Sequence, residues 1–231
     1  MPTDTDIANI ALAKGGGAGD QESGTGIIGS IDGSDRVSAR CKLLLPVVRR
    51  RVFVDLFDLK APFKESLRYA DLGAENAAPG EVGGWEYAFN VPKDSLGVFK
   101  QINEDFVTTQ SSITDRPIEY RFDVKWEDAV QILLTDTLSN SDEDSAYIRY
   151  VFDQKNAGTY SEPLINCIAT LLASELAPTI GLTDEKRQTL LAEYKTVCIP
   201  EAKKHNLAQY NSFSRTIQNY KGGRSESLPT V

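Results

Sequence analysis

Residues 34–57, SDRVSARCKLLLPVVRRRVFVDLF, decide how the chain is read. Val37, Cys41, Leu44, Leu45, Val48, Val52 and Leu56 recur at steps of three and four, the period of a helix with one buried stripe. Ser34 suits the N-cap, and Asp35 sets a carboxylate in the first turn. Arg36, Arg40, Lys42, Arg49, Arg50 and Arg51 fall mostly off the stripe, so a basic face opposes an apolar one. Pro46 removes one backbone donor and is expected to kink the helix or split it. A basic face is usually only solvated surface. Here it stands out because the remainder of the chain is acidic.

The formal net charge of −8 is unevenly spread over the 231 residues. Residues 34–69 carry nine basic and four acidic groups, or +5, while residues 70–160 carry seven basic and seventeen acidic, or −10. Such a chain can set its basic helix against an acidic segment, its own or a neighbouring copy's. The summed field opposes tight wrapping of nucleic acid. The length accommodates a real core, and the composition is that of a globular protein. MPTDTDIANI lacks a basic region followed by an apolar one, and no apolar run reaches the ~18 residues of a membrane span, so neither a signal peptide nor a membrane anchor is expected. Cys41, Cys167 and Cys198 are widely spaced and odd in number, and His205 is the single histidine. That fits buried, reduced thiols better than a disulfide framework or a zinc site.

Upstream, residues 5–14 predict a short helix with Thr5 as cap and Ile7, Ile10 and Leu12 inward. The segment that follows has eight glycines between Gly15 and Gly33. It lacks the Gly-Lys-Ser/Thr ending of a phosphate-binding loop, and it follows a helix where a dinucleotide fingerprint follows a strand. A connector is the remaining reading. Downstream, Ala61-Pro62 marks a break. Strands are predicted over 63–69, 85–91, 96–102, 118–126, 129–135 and 146–152. Period-two spacing puts Trp85, Tyr87 and Phe89 on one face of an antiparallel sheet.

Helices return after Ser161, with Leu164, Ile168, Leu171, Leu172 and Leu176 in a stripe flanked by Ala169, Ala173 and Ala177. Pro178 and Gly181 end that helix. Thr183 opens another with Leu190, Leu191, Tyr194, Val197 and Cys198 inward and Pro200 bending or interrupting it. The fold class is therefore α+β: a helical part over 1–60, a small antiparallel β-rich insert over 61–160, a second helical part over 161–209, and an extended tail over 210–231. Leu44, Val48, Val52, Ile168, Leu171, Leu172 and Leu190 are expected in the core of one helical bundle. The tail has no helical or strand period, yet it carries Tyr210, Phe213, Ile217 and Tyr220 among Arg215, Lys221 and Arg224. Spaced aromatics in a polar terminus suit a segment that orders on a partner.

Catalytic chemistry is thinly represented. A serine or cysteine nucleophile lacks an evident base beside the lone His205, and no HExxH or paired-cysteine motif occurs. The acidic run Asp142, Glu143, Asp144 lacks the glycine and terminal glutamate of an EF-hand loop. No catalytic, cofactor or metal site is assigned.

The order of segments carries more information than any motif. IANIALAK (7–14), a loop, and IGSIDGSDRVSARCKLLLPVVRRRVF (28–53) are followed by GGWEYAFNVPKDSLGVF (83–99), LLTD (133–136), AYIRYVF (146–152) and SEPLINCIATLLASELAPTI (161–180). This series resembles the head-to-tail adaptor family of tailed bacteriophages, the tail tubular protein A-like connectors, over residues 5–200. The family shows a short helix, a long helix with proline and basic residues, an aromatic strand ending in a Leu-Pro-x-Asp-Cys-Leu turn, a strand pair and an alanine-rich helix. Val91 stands here in place of that leucine and Ser95 in place of the cysteine. After the long helix, DLKAPFKESL replaces the family's tryptophan-asparagine-phenylalanine stretch.

The resemblance implies a virion protein of the phage neck, made in the host cytoplasm, without enzymatic turnover or cofactor. A dodecameric ring would sit between the portal protein and the tail or nozzle protein, and genomic DNA would pass through it without sequence-specific binding. Arg36, Arg40, Arg49, Arg50 and Arg51 are then candidates for the subunit interface. Tyr210, Phe213, Arg215, Ile217, Tyr220, Lys221 and Arg224 are candidates for partner binding. Two rival readings differ in class: a nucleic-acid-binding module using the same arginines, whose affinity would fall steeply with salt, and a carboxylate-based cell-wall hydrolase, which needs two carboxylates across a cleft and one raised pKa.

Overall fold

The computed structural model describes residues 1–16, 27–57, 63–73, 87–102, 122–127, 130–135 and 146–208. Within them the chain is a mixed α+β protein of two compact units. Predicted strand residues 85–86, 118–121 and 129, the Gly-rich stretch over 17–26 and the tail over 210–231 lie outside the described residues.

The helical unit contains α1 (Asp4–Lys14), the part of α2 (Arg36–Leu56) up to Val48, α3 (Glu162–Leu176) and α4 (Asp184–Glu193). A capping box starts α1: the Thr3 hydroxyl accepts from Asp6 N at 3.2 Å, and Thr3 N donates to Asp6 Oδ2 at 2.8 Å. Thr5, the expected cap, instead accepts from Ile31 N at 3.2 Å. The difference lies three residues on, where Thr3 meets a carboxylate and Thr5 meets Ala8. Ile7, Ala8, Ala11 and Leu12 are buried, whereas Ile10, expected inward, is exposed.

Asp35, and not Ser34, caps α2: its Oδ1 accepts from Val37 N at 3.0 Å and Ser38 N at 2.9 Å. Hydrogen bonding with Ser38, through its side chain first and its backbone second, and then with Val37 holds the Asp35 carboxyl below the ordinary carboxylate value. Pro46 does not split the helix. Cys41, Leu45, Val48, Val52, Phe53 and Leu56 are buried, while Leu44 is only half-buried and cedes the inward place to Leu45. Val52 falls in the sheet unit, so the expected core list does not belong to a single body.

The centre of the helical unit is α3. Leu164, Cys167, Ile168, Ala169, Leu171, Leu172, Ala173 and Leu176 are all at 0 % exposure, as suits a helix apolar on nearly every side. Helices α1 and α4 both pack on it. Gly181 sits at φ 73° in the connection to α4, the left-handed region that glycine enters without a Cβ penalty. Thr183 caps α4 by accepting from Lys186 N at 3.3 Å.

After Glu193 the helix continues through a π turn, Tyr194–Cys198, and on through 199–208. Ile199 N bonds to the carbonyl of Tyr194, five residues back. Pro200 thus neither breaks nor ends the helix; the irregularity sits in the turn before it. Leu190, Tyr194, Cys198, Ala202 and Asn206 face inward, and Val197, expected among them, is exposed. Lys14 and Glu193 pair at 2.9 Å, tying α1 to α4.

The sheet unit holds Arg49–Phe57 and two antiparallel three-stranded sheets. One has the order β1 (Leu67–Leu72), β6 (Ala146–Phe152), β3 (Ser95–Ile102), the other β2 (Tyr87–Asn90), β5 (Val130–Thr135), β4 (Phe122–Glu127). Strand β1 starts later than predicted because Lys64–Ser66 form a 3₁₀ turn over buried Phe63, closed by Ser66 N on the Phe63 carbonyl at 3.2 Å. Both sheets feed one core of Leu72, Phe89, Val91, Leu133, Ile148, Tyr150 and Phe152. Tyr87 packs against it two residues from Phe89, as period-two spacing requires. The register between β3 and β6 shifts between Ser95 and Phe99.

Candidate partner-binding face

Helix α2 has a second patterned face besides its buried one. Arg36, Arg40, Leu43, Val47, Arg50 and Val54 follow one another at steps of four and three, and all are exposed. Leu43 and Val47 stand 61 % and 60 % open to water, with Val54 at 41 %. Steps of four and three are the spacing by which one helix meets another along a seam. The first four of these residues belong to the helical unit and the last two to the sheet unit.

The five candidate arginines have different fates. Arg36 and Arg40 are exposed on this ridge. Arg49 is buried, with a side chain 6 % exposed. Its Nε donates to Asp153 Oδ1 at 2.9 Å and its Nη2 to Asp153 Oδ2 at 3.2 Å. The sequence reading set Arg49 off the buried stripe; it lies within it. Arg50 reaches the same carboxylate at 3.0 Å from a half-exposed position, and Arg51 pairs with Asp55 one turn on at 3.8 Å. Burial pushes the Asp153 carboxyl up, and the hydrogen bonds and charges of Arg49 and Arg50 more than reverse it, leaving it below the ordinary value.

The VPKDS turn has its own anchor. Ser95 N closes it on the Pro92 carbonyl at 2.9 Å. Asp94 then takes Arg68 Nη1 at 2.7 Å and the Tyr150 hydroxyl at 3.1 Å, while its carbonyl accepts from Asp153 N at 3.0 Å. One aspartate thereby joins β1, β6 and the segment leaving β6. Arg68 also lies 4.0 Å from the centroid of the Phe152 ring, a cation–π distance.

No family model matches the chain, and no curated protein does.

The tail candidates Tyr210, Phe213, Arg215, Ile217, Tyr220, Lys221 and Arg224 lie outside the described residues. Asp6, Asp35 and Asp153 each have a carboxyl held below the ordinary carboxylate value. Among the described residues no cluster of three or more His, Cys, Asp or Glu could hold a metal, and no helix is long and apolar enough to cross a membrane. The exposed ridge of α2 was missed in the sequence because Leu43, Val47 and Val54, read singly, pass as extra core in an apolar helix. Their spacing of four and seven, out of phase with Cys41, Leu45, Val48 and Val52, was the available signal.

Proposed function

We propose that the protein is a structural component of a phage virion, a head-to-tail adaptor that forms a ring between portal and tail and extends the DNA channel. The observation that carries this reading is the α2 ridge. A helix with one apolar face for its own core and a second, exposed, apolar-basic face is built to be covered by another surface. On a chain of net charge −8, a neighbouring copy supplies the opposite sign. Ring assembly is head-to-tail and brings unlike faces of the same chain together, so one basic and one acidic face on each copy suffice.

The series of segments from IANIALAK to the alanine-rich helix agrees with this reading, and the Asp94 contacts give the VPKDS turn a structural reason to be kept. In the assembled particle the helices of the two chain halves form one bundle, with the sheet unit inserted between them in sequence. The tail over 210–231 extends onto the portal or a neighbouring copy, with Tyr210, Phe213, Ile217 and Tyr220 as anchors and Arg215, Lys221 and Arg224 meeting acidic groups. No turnover and no cofactor belong to this role, and DNA passes without sequence-specific contacts.

Electron microscopy and sedimentation of the purified full chain, alone and with a portal ring, test it. Closed rings, free or seated on the portal, are expected. A protein that stays monomeric in both conditions overturns the proposal, as does tight, salt-sensitive binding of the monomer to bare duplex DNA.

A further inference from the structure

We propose that the α2 ridge of one copy docks, with the helices parallel, on the exposed face of α4 in the next copy, a pairing that rests on the ring reading above and names the surface the ridge meets. The part of the ridge within the helical unit is Arg36, Arg40, Leu43 and Val47. The other basic residues of α2 are paired inside their own copy: Lys42 with Asp32 at 2.8 Å, Arg49 and Arg50 with Asp153, and Arg51 with Asp55. Arg36 and Arg40 have no ion-pair partner among the described residues. The ridge cannot cover itself. A parallel pair of ridges sets arginine on arginine, and an antiparallel pair centred on Leu43 and Val47 brings Arg40 to Arg50. The tail over 210–231 is no better a cover, since its side chains carry Arg215, Lys221 and Arg224 against Glu226 alone.

The same unit offers a face with the opposite charge at the right end. Glu185, Thr189 and Ala192 on α4 and Thr196 in the π turn after it are all exposed, at steps of four, three and four. Arg36, Arg40, Leu43 and Val47 follow the same steps, so two such rows stay in contact when the helices lie side by side. Asp184 and Glu185, at the head of α4, also have no ion-pair partner among the described residues. Setting Arg36 beside Glu185 puts Arg40 one turn on, within reach of the same carboxylates, with Leu43 on Ala192 and Val47 on Thr196. The reverse direction would carry the arginines towards the exposed Lys195 and leave both acids against Val47. Charge therefore selects the parallel pairing.

The α4 face is also ready to lose its water. Thr189 Oγ1 donates to the Glu185 carbonyl at 2.9 Å, and Thr196 Oγ1 donates to the Ala192 carbonyl at 2.8 Å. Each hydroxyl already has an acceptor on its own helix, so Leu43 and Val47 can cover the threonine methyls and Ala192 without stranding a donor. The ridge and the α4 face are different surfaces of one chain. Their contact is heterologous, and it passes from copy to copy until the rotation closes.

Full-length Leu43→Cys and Ala192→Cys chains are co-expressed, treated with a short bismaleimide and mapped by mass spectrometry, while electron microscopy records rings in the same samples. The native thiols, Cys41, Cys167 and Cys198, are buried, and the wild type gives their background. The mixture should yield covalent pairs joined between positions 43 and 192, and neither variant alone should exceed the wild type. Leu43→Cys joined to itself, or rings without the 43–192 link, overturns this pairing and leaves the ring reading standing. A wild type that never forms rings overturns both. Arg36→Glu and Glu185→Arg should each lose the ring, and a chain carrying both should regain it. A double variant that folds and stays ringless overturns the pairing. If Glu185→Arg does not fold, the cysteine link still decides.

Discussion

The Arg49 guanidinium holds the Asp153 carboxylate, 104 residues away, through two hydrogen bonds of 2.9 and 3.2 Å, with both side chains under a tenth exposed. This is a fork-on-fork pair in a place with little water to replace either partner. Removing one partner is therefore far worse than removing both. Asp153→Ala should cost about 3–5 kcal/mol in urea denaturation, since it strands a buried cation. The double variant Arg49→Met/Asp153→Leu should recover most of that loss. Arg50→Ala, on the same carboxylate from the half-exposed side, should cost at most about 1 kcal/mol.

The same pair sets an acid limit. Asp153 is held below its ordinary value of 3.8 in the folded state. A lowered carboxylate contributes stability that is fully present above the unfolded value and fades as pH falls through the folded one. Denaturation midpoints of the wild type should therefore drop more steeply below about pH 4 than those of the Arg49→Met/Asp153→Leu variant. Parallel curves would show that Asp153 is not the group responsible.

Charge on the α2 ridge should separate assembly from folding. Leu43→Asp and Val47→Asp, at positions more than half exposed, should leave monomer stability within about 0.5 kcal/mol. Sedimentation should show them losing the ring. Leu45→Asp, one residue from Leu44 but fully inward, should fail to fold. If Leu43→Asp assembles like wild type, the ridge is not the interface.

Deletion of residues 210–231 should leave the helical core folded by circular dichroism and abolish attachment to the portal. Ordering an extended segment costs about 1–2 kcal/mol per residue, so only a broad contact can hold it. A truncated chain that docks on the portal with unchanged affinity would remove the tail from the interface.

Local patterns were legible in the sequence and long-range pairings were not. Strand β6 was readable to its ends, because Ile148, Tyr150 and Phe152 and their neighbours leave no ambiguity of period. Tyr87 and Phe89 likewise declared their face. The caps erred by one or two residues where two cap-forming residues stood close together: Thr3 against Thr5, Asp35 against Ser34. Arg49 could not be placed at all from its neighbours. A charged residue reads as surface until its counter-ion is known, and Asp153 is on the far side of the sheet segment in sequence. The ridge of Leu43, Val47 and Val54 needed the helix's inner face to be fixed first. Val197 was misplaced because the expected period assumed an unbroken α-helix.

That last error has a consequence for how the C-terminal helix is timed. Leu190, Tyr194, Cys198, Ala202 and Asn206 are buried at uniform steps of four. On a regular α-helix each such step overshoots a full turn by about 40°, and four steps would carry the row about 160° around the axis. The π turn houses one extra residue and takes back about 100° of that drift. The fifth side chain is returned towards the side of the first. Relaxing Tyr194–Cys198 to ideal α geometry with every residue kept would turn Ala202 and Asn206 by about 100° from the buried side, whereas deleting one residue there would restore α geometry and leave them in place, so the distortion is what keeps the row in phase.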